Sequence, residues 1–155
     1  MVQLVAGTYP LRWPSLPGPP KVGSPAPPID VEPYRGEMSR QLARGRKHLL
    51  FFWATWCGAC KAALPELQAF AETNGVRVVA ITDEPRKQLD RFFENYRGVF
   101  PPDVAIDEFR KAFVAYGVSG TPTFVLVDED GHVSAVHVGY DAKRGLPFEG
   151  WTWHR

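Results

Sequence analysis

Apolar and polar positions alternate along this chain with two distinct periods, and the switch between them predicts its elements. Residues 48–54, His48 through Ala54, form a continuous apolar run, which predicts a strand buried on both faces. Over residues 58–73 the apolar positions Ala62, Ala63, Leu67, Phe70 and Ala71 recur at helical spacing. Asn74-Gly75 then supplies a C-terminal stop. Residues 76–81 read as a second strand. Residues 85–96 read as a helix carrying Leu89, Phe92, Phe93 and Tyr96 on one side. A short strand over 104–106 and a helix over 107–115 come next. Residues 123–127 form another clear strand, Asp128 to Gly131 signals a hairpin turn, and 133–138 returns as its partner. A short helical piece is expected at 38–44.

The order β-α-β-α followed by a hairpin predicts an α/β fold, a central mixed sheet with helices on both faces. Outside it the pattern dissolves. Nine of the 15 prolines lie at or before Pro33, so residues 1–28 read as an extended Pro-rich arm, partly laid against the domain. The domain proper is expected over 29–140. Residues 141–155 read as an irregular aromatic tail, in which Trp151 and Trp153 could pack on the sheet or meet a partner.

Composition narrows the function classes. The length of 155 residues suits one domain, and 45% apolar with 23% charged residues excludes a disordered chain or a coiled coil. Lys plus Arg number 18 against 17 Asp plus Glu, a balance that points to neither nucleic acid nor an anionic membrane. The basic turn Arg44 to His48 reads as a solvated loop. No apolar run approaches the roughly 20 residues of a membrane-spanning helix. Met1 to Gly7 carries no basic residue, and Pro10, Pro14 and Pro17 break the next segment, so the N-terminus does not read as a signal peptide.

The chemistry concentrates in two cysteines. Cys57 and Cys60 are the only ones in the chain. A disulfide framework would need more of them, and zinc would need ligands that the unpaired spacing of His48, His132, His137 and His154 does not provide. His132 and His137 read as surface residues of the hairpin. The segment Trp56-Cys57-Gly58-Ala59-Cys60 sits where a buried strand turns into a helix. There the unpaired N–H groups and the helix dipole favour negative charge. A thiolate at Cys57 is stabilised, and such thiols fall from about 8.5 to roughly 3.5–7.5. Cys60 lies one turn on, within disulfide reach, so Cys57 is the exposed attacker and Cys60 the resolving thiol. The alternative, a purely structural staple, would close a four-residue loop worth only about 2 kcal/mol. Trp56 flanks the attacker and offers partners an apolar surface, whereas Trp53 reads as core.

The string from Phe52 to Lys61, with Pro65 in the helix and the later stretch Gly117 to Phe124, resembles the thioredoxin superfamily. Gly98 to Pro101 and the Asp128–Gly131 hairpin bring it nearer to the TlpA/ResA-type thiol-disulfide oxidoreductases. The likeness covers residues 25–140 and implies a thioredoxin-like fold. It also implies that Thr121–Pro122 is a cis bond facing the cysteines, with Thr121 pairing its backbone to substrate beside Gly58 and Ala59. Without the likeness, a trans proline opening a strand is the ordinary expectation.

The departures are informative. Phe51 stands where thioredoxin has a buried Asp, and Ala63 stands where many TlpA/ResA-type relatives have Glu. Asp83 and Glu84 are the stand-in candidates for proton transfer, or else cap the helix after them. A peroxiredoxin would need Pro and Thr where Leu50 and Ala54 stand, so a peroxidase is excluded. The terminal helix that usually closes the fold is also absent from the pattern.

The resemblance implies an oxidoreductase without a dissociable cofactor, acting on protein thiols and disulfides as a monomer. Its electrons would come from another thiol protein, in that family usually a membrane carrier. The family's reductases serve cytochrome or oxidase assembly outside the cytoplasm, which makes the periplasm the expected setting and leaves the cytoplasm open. An oxidant of the same fold and a non-enzymatic binding module stay open beside the reductase.

Overall fold

A computed structural model of the chain describes residues 18–37 and 45–147. The expected helical piece at 38–44, the arm before residue 18 and both tail tryptophans lie outside these residues. Six strands form one sheet: β1 (Glu32–Arg35), β2 (His48–Phe52), β3 (Arg77–Thr82), β4 (Asp103–Ile106), β5 (Thr123–Val127) and β6 (Val133–Val138). Their order across the sheet is β1-β4-β3-β2-β5-β6. Strands β2, β3 and β4 run parallel, while β1, β5 and β6 pair antiparallel with their neighbours.

Every residue of β2 is buried because β2 lies at the centre and both faces are covered. The period of two sends Leu49, Phe51 and Trp53 to one face and Leu50 and Phe52 to the other. The first face packs on α1 (Gly58–Asn74) and α2 (Arg86–Asn95) through Leu64, Leu67 and Leu89. The second packs on α3 (Lys111–Ala115) through Ala112 and Phe113, with Ile29 and Val31 from the incoming chain. Helix α1 ends where its sequence says it should. Gly75 takes the left-handed conformation (φ 63°) and sends its N–H to the Ala71 carbonyl.

Three local features differ from the pattern-based expectation. Strand β1 has no apolar alternation and contains Pro33, which an edge strand tolerates because its unpaired side needs no N–H. The helix expected over 107–115 is broken. A 3-10 turn over Glu108–Arg110 precedes α3, and Phe109 and Arg110 both adopt positive φ (65° and 59°). The cause is Asp107, whose buried carboxylate accepts the N–H groups of Ala112 and Phe113 at 3.0 and 2.8 Å. That cap starts the helix four residues late. His137 is half-buried rather than a free surface residue, stacked on Phe124.

The Asp128–Gly131 turn closes through the Asp128 carboxylate, which accepts from the Asp130 and His132 N–H groups. Residues 18–28 lie along the domain. Gly23 and Ala26 donate to the Val133 and Gly131 carbonyls, and Tyr116 Oη donates to the Pro27 carbonyl at 2.5 Å.

Candidate functional site

Four loops converge at one end of the sheet. The parallel strands β2, β3 and β4 all finish there, and β5, antiparallel to β2, begins there. The chain leaving β2 keeps one more ladder bond, from the Trp53 N–H to the Ile81 carbonyl, and then turns. Cys57 is the N-cap of α1. Its Sγ accepts the Cys60 N–H at 3.1 Å, one of the donors that the first helical turn leaves without a backbone partner. Cys57 and Cys60 are joined as a disulfide, with Cα atoms 5.2 Å apart. The first turn of α1 carries no acidic residue, so the positive end of the helix acts on sulfur alone.

The expectation of an exposed attacker does not hold in the disulfide state: Cys57 is buried like Cys60, and it is Trp56 beside them that stands out, 72% exposed, an unusual position for an indole. Pro65 lies inside α1, as its sequence position requires. The Thr121–Pro122 bond is cis. Register places it beside the cysteine loop, because Thr123 of β5 pairs with Phe52, the last residue of β2. The Gly139 N–H donates to the Pro122 carbonyl, which anchors the bond to the end of β6. Thr121 Oγ1 is buried without a hydrogen-bond partner.

The two acidic candidates behave differently. Asp83 forms an ion pair with Arg110, from the loop after β4. Glu84 is 7% exposed and spends both carboxylate oxygens on the loop that precedes Cys57. It accepts the Thr55 N–H at 2.8 Å, the Thr55 hydroxyl at 2.7 Å and the Thr82 hydroxyl at 3.0 Å. Gln88 donates to the same Thr55 hydroxyl at 3.1 Å. Sequence reasoning missed Thr55 and Gln88. The available signal was Thr55 itself, the one hydroxyl inside the apolar run from Leu49 to Cys57. Asp107, at the end of β4, has its carboxyl raised above the usual range by burial, which outweighs the two amide bonds it accepts.

Chemically, this arrangement offers a disulfide-bonded cysteine pair at a helix N-terminus, an exposed aromatic beside it, and an extended strand start opposite. Among the described residues no cluster of three or more His, Cys, Asp and Glu side chains is placed to hold a metal. No helix among them is long and apolar enough to cross a membrane.

Comparison with known proteins points the same way. Residues 21–148 match the family model described as Redoxin. The chain is 32% identical over 130 residues to the thiol-disulfide oxidoreductase ResA of Geobacillus thermodenitrificans, covering 81% of this chain and 74% of the relative. It is 34% identical over 132 residues to the thioredoxin-like protein YneN of Bacillus subtilis, covering 80% and 75%. Among solved structures, a putative thiol:disulfide interchange protein DsbE from Chlorobium tepidum superposes with a TM-score of 0.68 at 27% identity, covering 84% of this chain and 94% of the other.

Proposed function

This chain belongs to the Redoxin family and is a thiol-disulfide oxidoreductase with a thioredoxin-like fold, and from that premise we propose that it reduces protein disulfides outside the cytoplasm. The observation that carries the chemistry is the cap of α1, where a sulfur atom occupies the place that a serine or aspartate oxygen usually takes.

In the reduced enzyme the Cys57 thiolate attacks one sulfur of a substrate disulfide. A Cys57–substrate disulfide forms, and the substrate's other sulfur leaves as a thiolate that takes a proton from solvent. The Cys60 thiolate then attacks Cys57 Sγ and expels the second substrate thiolate. Two electrons have passed to the substrate, and the Cys57–Cys60 disulfide seen here is the product state. A thiol protein returns it to the dithiol, and no dissociable cofactor takes part. The family likeness supports a membrane-held donor and a role in cytochrome assembly.

Trp56, Gly58 and Ala59 form one wall of the substrate site, and Thr121 and Pro122 the other. The cis bond supports this reading because it leaves the Thr121 backbone at the strand's end, where an incoming extended segment can pair with it. Of the two acids expected to move protons, Asp83 is engaged by Arg110. The bonds of Glu84 favour a part in holding the catalytic loop.

Trapping tests the cycle. A Cys60→Ser variant keeps the attacker and loses the resolver, so it accumulates covalent mixed disulfides with insulin under non-reducing electrophoresis, and Cys57→Ser accumulates none. Equal trapping by the two variants would sink the assignment of roles.

A further inference from the structure

A shallow groove of about 340 Å³ lies beside the catalytic loop, between the first turns of α1 and one face of α2. Its floor is aromatic, Phe92 stacked on Tyr96 with ring centroids 4.9 Å apart. Its rim is cationic: Lys61 rises from α1 and Arg91 from α2. Gln88 and Asn95 add side-chain amides on the same helix face, since positions 88, 91, 92 and 95 recur at helical spacing.

Three observations single it out. First, no carboxylate lines it. Asp90 of α2 takes the Tyr34 hydroxyl instead, and Glu84 lies buried beneath Thr55. Second, neither Lys61 nor Arg91 forms an ion pair among the described residues, although five other cations of the chain do. The Lys61 ammonium meets the Phe92 ring, 6.0 Å from its centroid. Third, the groove shares its wall with the loop and first helical turn that carry Cys57. Thr55 stands two residues before Cys57, and the Lys61 N–H donates to the Cys57 carbonyl at 3.3 Å.

We propose that this groove is a specificity subsite that takes acidic side chains of the protein bearing the target disulfide. The proposal rests on the thiol-disulfide exchange assigned to Cys57 and Cys60 and names the substrate's chemistry. An aspartate or glutamate of an extended segment would meet the Arg91 fork, which matches a carboxylate in two parallel bonds, and the Lys61 point charge. The segment's stems would lie over Phe92 and Tyr96. Lys61 is about one helical turn, roughly 5 Å, from Cys57, and an extended chain advances about 3.3 Å per residue. Lys61 is therefore reached about two residues from the substrate cysteine and Arg91, across the groove on α2, about one or two residues farther on, so the acids recognised lie about two to four residues from it.

The test uses two synthetic peptides, each holding one cysteine as a mixed disulfide with 2-thiopyridine, a neutral leaving group followed by its absorbance. One carries glutamates two to four residues on either side of the cysteine, and the other carries lysines there. Single-turnover rate constants with the reduced full-length protein are divided by those with dithiothreitol, which removes the peptides' own difference in reactivity. The groove predicts that the glutamate peptide is favoured about fivefold or more at low salt, the ratio shrinking toward one in about 0.5 M salt. The Lys61→Gln/Arg91→Gln double variant lowers the ratio, whereas Lys111→Gln, which removes a charge outside the groove, leaves it in place.

Equal normalised rates for the two peptides overturn the subsite while leaving the exchange chemistry standing. An equal fall in Lys111→Gln also overturns it, since net charge would then explain the preference. The salt series on the intact protein asks the same question should the double variant fail to fold. If neither peptide is reduced, the exchange activity and the subsite fall together.

Discussion

The loops after β2 and β4 leave the same end of the sheet, and both lead into a helix, yet they are capped by different chemistry. After β4 the cap is the Asp107 carboxylate, fully buried and bound to two helical N–H groups. After β2 the cap is the Cys57 sulfur, which accepts one N–H and is also bonded to Cys60. Each loop also lifts an aromatic into solvent, Phe109 at 80% and Trp56 at 72% exposure. The comparison separates anchoring from reactivity. A carboxylate spends the positive end of its helix on structure, whereas a sulfur lets the same field stabilise a nucleophile that can form and break bonds.

Substitutions at the two caps should therefore dissociate. The largest effect is expected from Cys57→Ser, which keeps an oxygen cap but removes the nucleophile. Insulin reduction falls to background while the fold survives a thermal melt. Next comes Glu84→Ala, which leaves the Thr55 N–H and two hydroxyls without their shared acceptor. A stability loss of about 1–3 kcal/mol is expected in urea melts, together with slower turnover as the catalytic loop loosens. Asp107→Ala should cost about 1–2 kcal/mol, the ordinary worth of a helix cap, and leave turnover per folded molecule unchanged. If Asp107→Ala abolished turnover at full stability, the division between the two loops would be wrong.

The smallest effect is a pH dependence. Burial raises the Asp107 carboxyl above its ordinary value of 3.8, so the folded protein holds this proton more tightly than the unfolded chain. The stability this contributes is fully present below 3.8 and is lost as pH rises through the folded value. The wild type should accordingly lose stability relative to Asp107→Asn as pH climbs from about 3.8 toward neutrality. A wild type that gains on the variant over that window would reverse the sign.

The same two loops show what the sequence could reveal. The region around β2 was legible because its signals are local: an unbroken apolar run, a hydroxyl, two cysteines at helical spacing and a glycine stop at Gly75. The break at Phe109 and Arg110 was not, because a cap reaching five and six residues ahead competes with local helical spacing and wins only once Asp107 is buried. Strand β1 was invisible for a related reason. Glu32 to Arg35 has neither alternation nor strand propensity, and only the open edge of β4 gives it a partner. At the site, the acids Asp83 and Glu84 stood out by position, but their partners Arg110 and Thr55 lie 27 and 29 residues away. Separations of that size cannot be read from spacing within one element.

The most direct test of the central claim is the reduction potential of the Cys57–Cys60 pair, measured by equilibration against dithiothreitol and glutathione buffers. The account predicts one reversible two-electron transition near that of thioredoxin, about −270 mV. A value near −120 mV, like that of DsbA, would make the protein an oxidant, and the absence of any reversible transition would remove redox chemistry from the site.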